Sequence, residues 1–146
     1  ESDFLAHRMP FSLIYSPPEQ LLNYPRLVNA TSDLYSLGLT LYECIAQFPP
    51  FFNDNPEMVM HLQLNTSVEE HKNIQPALLS LIHKATAKEK LRLPPAQLES
   101  EEIENTIAEG QAQRFQSCEE FKSALKKILP QLNESERKNF FSKLFG

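Results

Sequence analysis

The residues able to do chemistry in this chain are spread out rather than gathered. His61, His71 and His83 have no spacing to carboxylates or thiols that would present three or four ligands to one metal ion. They read as surface or groove residues. Ser16 and Ser36 lack a partnered His and Asp in a nucleophile elbow, so hydrolase chemistry has no support. Phosphoryl transfer needs a loop that cradles phosphates, carboxylates for a metal and a base for the acceptor hydroxyl. The three glycines, Gly38, Gly110 and Gly146, are too few and too scattered for a Gly-rich phosphate loop. Cys44 and Cys118 each lie in a helical stretch and read as free thiols in a reducing compartment.

Composition narrows the partners. A chain of 146 residues fits one domain, spanning 1–146, and has room for a real core. Its formal charge of -5 argues against a nucleic-acid or anionic-membrane surface, because both need clustered Lys and Arg. No apolar run approaches the roughly 18 to 20 residues of a membrane span. The expected location is cytoplasmic, and a first residue of Glu1 reads as a cut-down or processed piece. The tripeptides at Asn29, Asn65 and Asn133 match glycosylation sequons, a pattern that chance supplies easily.

The elements that must position these residues are helices. Pro10, Pro17, Pro18 and Pro25 interrupt every helical period over residues 1–30, which predicts an extended loop with a short turn around Glu19 to Asn23. From Leu34, apolar residues recur at Leu37, Gly38, Leu41, Tyr42 and Ile45, one face of a helix, with Leu39 and Cys44 on other faces. A helix apolar on several sides is surrounded, so about 33–47 should be the buried central helix of an all-α fold. Asn55-Pro56 caps and starts a helix over 56–64, and another follows Pro76. Residues 90–112 are acidic and poor in apolar side chains, which predicts a solvated surface insertion with a short helix capped by Ser100. Ser117 to Glu120 forms a capping box opening a helix with Phe121, Leu125, Ile128 and Leu129 on its face. An extra C-terminal helix over 133–145 has Phe140, Phe141, Leu144 and Phe145 to bury.

Taken in order, Tyr15-Ser16-Pro17-Pro18-Glu19, Ser32-Asp33-Leu34-Tyr35-Ser36-Leu37-Gly38, Leu41-Tyr42-Glu43, Pro50-Phe51 and Arg114-Phe115-Gln116-Ser117 resemble successive landmarks of Ser/Thr protein kinases of bacterial flavour. The first resembles the Ala-Pro-Glu motif that closes the activation segment, with Pro17 where Ala is usual. The second resembles the signature of the buried helix of the large, C-terminal lobe. The resemblance implies a kinase C-lobe-like helical domain whose structural landmarks are Glu19, Asp33, Gly38 and Arg114. It pairs Glu19 with Arg114 in a buried, bidentate ion pair. Arg92 is a competing partner, because some two dozen residues separate Lys88 from Arg114 where the family has only a few. Asp33 matches the aspartate that accepts backbone hydrogen bonds from the catalytic loop; an ordinary helix N-cap is the alternative. Ser12, Leu13, Ile14, Tyr15 and Ser16 match the substrate-docking part of the activation segment.

The chemistry of that family is not matched here. Ser2-Asp3-Phe4-Leu5 resembles a degraded metal motif without its Gly, so Asp3 is a lone candidate carboxylate for magnesium, with an exposed terminal Asp as the alternative. No catalytic residue is assigned. The expected cofactors are none for this chain, with ATP and magnesium only where a complete kinase domain is restored. The expected function is a non-catalytic, pseudokinase-like interaction module; the alternative is a fragment of an active kinase whose ATP-binding lobe lies elsewhere. With the packing elements of a kinase core missing, the face formed by Leu34, Leu37, Leu41 and Ile45 should be covered by a protein partner or by self-association. A peptide substrate is a further candidate partner, whereas nucleic acid and membrane are not.

Overall fold

Asn29 opens the longest helix among the described residues. The computed structural model describes residues 13–132 and, beyond them, Glu134, Arg137, Lys138, Phe141 and Ser142. Asp3, Ser12, Phe140, Leu144 and Phe145 lie outside the described residues. The helices are α1 (Pro18–Leu21), α2 (Ala30–Ala46), α3 (Pro56–Asn65), α4 (Pro76–Ala85), α5 (Ser100–Gln113) and α6 (Cys118–Ile128). Three-residue 3-10 turns stand at Pro25–Leu27, Pro95–Gln97 and Leu129–Gln131. No strand occurs among the described residues, and the architecture is all-α, as expected.

The Asn29 side chain accepts from the Thr31 amide at 2.9 Å, and the Ser32 hydroxyl accepts from the Asn29 amide at 3.1 Å. Two amide donors that the first helical turn leaves without partners are thereby satisfied. α2 therefore starts three residues earlier than expected, and Asp33 is not its N-cap. Asn29→Ala should cost about 1 kcal/mol, read as a lower urea midpoint with an unchanged slope, and Asn29→Ser should restore most of it. At the other end Gln47 takes a left-handed conformation, φ 72°, and its amide donates to the Glu43 carbonyl before Pro49-Pro50 ends the run.

The core lies between α2, α4 and α6. Leu34, Tyr35, Leu39, Leu41, Tyr42 and Ile45 from α2 share one cluster with Leu78, Leu81, Ile82 and Ala85 from α4 and Phe121 from α6. The Phe115 and Phe121 rings meet edge to face with centroids 5.3 Å apart, a favoured aromatic geometry. Gly38 sets how closely α2 and α4 approach, since a Cβ there would stand 2.9 Å from both the Ala85 Cβ and the Thr86 Cγ2.

The structure corrects the register of the central helix. Leu37 is 45% exposed, whereas Leu39 is completely buried. Both flank Gly38 at one residue, on opposite sides of the α4 contact line, so spacing alone fits either. Leu37 shares its side with the exposed Asp33 and Thr40, three or four residues away. Leu34, Leu41 and Ile45 are covered within the chain, so the reason given for a partner over that face is reduced to Leu37.

The acidic stretch is corrected further. α5 runs for 14 residues and buries Ile103, Ile107, Gly110 and Gln111. Its N-cap is Glu99 without a side-chain cap bond, and Ser100 instead shares a hydrogen bond with the Tyr24 hydroxyl at 3.0 Å. A Cβ on Gly110 would stand 2.8 Å from the Lys88 Cα, so α5 lies directly on the chain that follows α4. This is a packed element with a polar outer face. Sparse apolar content concealed it, because only two isoleucines four residues apart mark its inner stripe.

At α6 Ser117 accepts from the Glu120 amide, but the Glu120 carboxylate accepts from the Gln116 amide rather than from Ser117. Among the described residues no helix is long and apolar enough to cross a membrane.

Candidate functional site

Glu19 follows two prolines whose fixed φ starts α1 and leaves the carboxylate pointing inward, with no exposed surface. Arg114 ends α5 and is 1% exposed. Its Nη1 donates to Glu19 Oε1 at 2.6 Å and its Nη2 to Oε2 at 3.2 Å, the expected bidentate pair across 95 residues of sequence. Arg92 is engaged elsewhere, with both Nε and Nη2 on the Glu102 carboxylate of α5.

The pair is not left to itself. Glu19 Oε1 also accepts from the Ser32 hydroxyl at 2.6 Å and from Gln111 Nε2 at 3.1 Å, while Arg114 Nε donates to the Ala87 carbonyl at 2.8 Å. The guanidinium carbon stands 4.8 Å from the centre of the Tyr35 ring. Burial alone would raise the Glu19 carboxyl, but the Arg114 guanidinium and the Ser32 hydroxyl together hold it below the ordinary carboxylate value. Two buried charges are tolerated because the remaining donors and acceptors are matched. Among the described residues no buried side-chain nitrogen or oxygen lacks a partner.

Sequence reasoning missed Gln111, Gln63, Tyr35 and Lys88 as members of this polar interior. Gln63 is four residues after the buried Val59, and Gln111 four after the buried Ile107. That spacing placed each on the inner face of its helix. A polar residue in an apolar register is the signal that was available.

The candidate docking loop sits beside this interior. Leu13 and Ile14 are buried with Val59 rather than displayed, and Tyr15 and Ser16 are half-buried. Gln63 Nε2 donates to the Leu13 carbonyl at 3.1 Å, and the Ser36 hydroxyl donates to the Tyr15 carbonyl at 2.8 Å. The Tyr15 hydroxyl donates to the Glu43 carboxylate, and burial followed by that contact pushes the phenol up to about 12. The loop is therefore held from α2 and α3 by backbone and side chain.

Asp33 is solvent-exposed on the fourth residue of α2 and is not drawn into the Glu19 network. Gly38 faces α4 and has a packing role. His83 shares a hydrogen bond with the Val68 carbonyl, and His71 stacks edge to face with Tyr42 and Phe48. Both cysteines are free thiols. Among the described residues no group of three or more His, Cys, Asp or Glu could hold a metal ion.

No protein-family model matches the chain. Over 78 residues it is 36% identical to "Serine/threonine-protein kinase PknB" of Mycolicibacterium smegmatis, and equally so to the protein of that name from Mycobacterium leprae. The match covers 51% of this chain but only 12% of the length of each relative. Half of the chain thus has a kinase-like relationship, while most of each relative's length has no counterpart in the match.

Proposed function

We propose that this chain is the substrate-side helical lobe of a Ser/Thr protein-kinase-like protein and that it acts as a non-catalytic, pseudokinase-like interaction module. The observation that carries the reading is the bidentate pair of Glu19 and Arg114, which ties the end of an activation-segment-like loop to the opening of the last core helix. The identity to the two bacterial kinases supports the same family. The loop Leu13–Ser16 is anchored at two carbonyls, an arrangement suited to offering a fixed edge to a peptide. The module's partner would be a protein or a second copy, and two free thiols fit a reducing, cytoplasmic setting.

A second reading has its own support. Because the match covers 12% of each relative, a longer parent carrying an ATP-binding lobe would make this chain part of an active kinase. ATP and magnesium belong to that reading alone.

Thermal unfolding of the chain with and without magnesium and ATP, together with a phosphate-transfer assay on a Ser/Thr peptide, separates activity from its absence. We expect no shift in midpoint and no transfer, because a ligand that binds the folded state at 100 times its Kd adds about 2.7 kcal/mol and would be seen. Measurable transfer by this chain alone would overturn the non-catalytic reading.

A further inference from the structure

Lys88 is a half-buried cation that has no carboxylate partner among the described residues. Its Nζ lies 3.2 Å from the Tyr35 hydroxyl and 3.4 Å from the Leu62 carbonyl, and 4.4 Å from the centre of the Phe51 ring. The Tyr35 hydroxyl in turn donates to Gln63 Oε1 at 2.5 Å, and Gln63 Nε2 donates to the Leu13 carbonyl at 3.1 Å. Tyr35 and Gln63 have no exposed surface. An unbroken line of hydrogen bonds therefore runs from Lys88, through the core, to the first residue of the loop. We propose that the relay Lys88, Tyr35, Gln63 is a latch on the loop Leu13–Ser16 whose hold depends on the charge of Lys88.

The direction follows from donors and acceptors. A charged ammonium can only donate, so the Tyr35 oxygen accepts from it and the Tyr35 proton is directed to Gln63 Oε1. That bond orients the amide, and Nε2 then faces the Leu13 carbonyl. A neutral amine has a lone pair that can take the Tyr35 proton instead, and Gln63 Oε1 loses its donor. An amide without that bond holds Leu13 less firmly, since a buried polar group left unpaired favours any movement that restores a partner.

The surroundings bring this change into an accessible range. Burial, then the positive charges of Arg114 and Lys90, lower the Lys88 ammonium to about 7. Among the described residues no carboxylate offsets them, because Glu19 of α1 is engaged by Arg114, Ser32 and Gln111, and the Glu89 side chain accepts from Gln113 of α5. From α2 the group meets Tyr35, whose own proton burial holds more firmly than usual, and from α3 the Leu62 carbonyl. Raising the pH through 7 should therefore loosen the loop. The whole fold moves the other way, since an ammonium lowered on folding is released earlier in the folded chain, and stability rises as pH climbs above about 7. Opposite signs for loop and fold separate the latch from general stability.

Amide hydrogen exchange, corrected for intrinsic rates, reads both at once. The Ser16 amide, which donates to the Leu13 carbonyl at 3.2 Å, reports the loop, and the amides of Leu39 and Tyr42, inside α2, report the fold. Between pH 6 and 8.5 the loop should lose about fivefold in protection, the population change that one net hydrogen bond brings, while the α2 amides do not lose any. Lys88→Met and Tyr35→Phe should each abolish the pH dependence. Lys88→Arg, which keeps the charge and does not depend on tolerance of an apolar replacement, should keep the loop protected at pH 8.5. Loop protection that ignores pH in the unaltered chain, or that keeps its pH dependence in Tyr35→Phe, would overturn the proposal. The latch rests on the proposed function only for what the loop would dock, and its readout uses no nucleotide or peptide. Its failure would thus stand apart from a failed magnesium and ATP prediction.

Discussion

Replacing Glu19 with Gln should destabilise the chain by about 3–5 kcal/mol, because the Arg114 guanidinium would be left buried without its counter-charge. Exposures of 1% and 0% leave no solvent to screen the lost charge. Arg114→Met should cost a similar amount, and the double variant should cost much less than the two together, since each single change already breaks the pair. Urea unfolding of the three variants measures the coupling, and independent, additive effects would sink the pair as a unit. Acid should reproduce the loss in the unaltered chain. The Glu19 carboxyl lies below its ordinary value when folded, so the pair's contribution is complete above about pH 4.5, the value of the free group, and disappears as the pH falls through the lower folded value. Glu19→Gln should unfold with a shallower dependence on pH in that acid range.

That pair was legible in sequence because it depends on residue types at fixed landmarks, and the landmarks stood in order along the chain. The helices at Pro56 and Pro76 were legible for a local reason, in that proline at the first turn sets φ and needs no amide partner. What escaped was packing. Leu37 and Leu39 are identical side chains two residues apart, and only the close approach of α4 at Gly38 decides which is buried. The length and packing of α5, expected only as a short solvated helix, escaped because hydropathy rewards quantity, whereas Ile103, Ile107 and Gly110 hold their helix by position. Gln63 and Gln111 were passed over for a related reason. A glutamine has no chemistry of its own to attract notice, and its value appears only when the two groups it bridges are far apart in sequence, Tyr35 with Leu13 and Glu19 with Leu27.

Gly38→Ala should destabilise despite its better helix propensity. Alanine in a helix interior gains about 1 kcal/mol over glycine. Here the new methyl group would lie 2.9 Å from two carbons, Ala85 Cβ and Thr86 Cγ2, a distance that forces α2 and α4 apart. Overpacking of a tight core costs about 1–3 kcal/mol, so the two terms leave a net loss of up to about 2 kcal/mol. Gly38→Val should lose considerably more, because branching at Cβ adds volume on both sides of the contact and gives back part of the helix propensity. Neither of the two contact carbons sits at the free end of a flexible chain, so the strain has to be taken up by moving backbone. Ala85→Gly in the Gly38→Ala background removes one of the two contacts and should recover part of the packing loss, while Ala85→Gly alone should only destabilise. That reversal of sign between backgrounds would locate the cost at the helix crossing. Gly38→Ala proving more stable than the unaltered chain in urea would mean that α2 and α4 can separate at little cost, and that Gly38 does not set their approach.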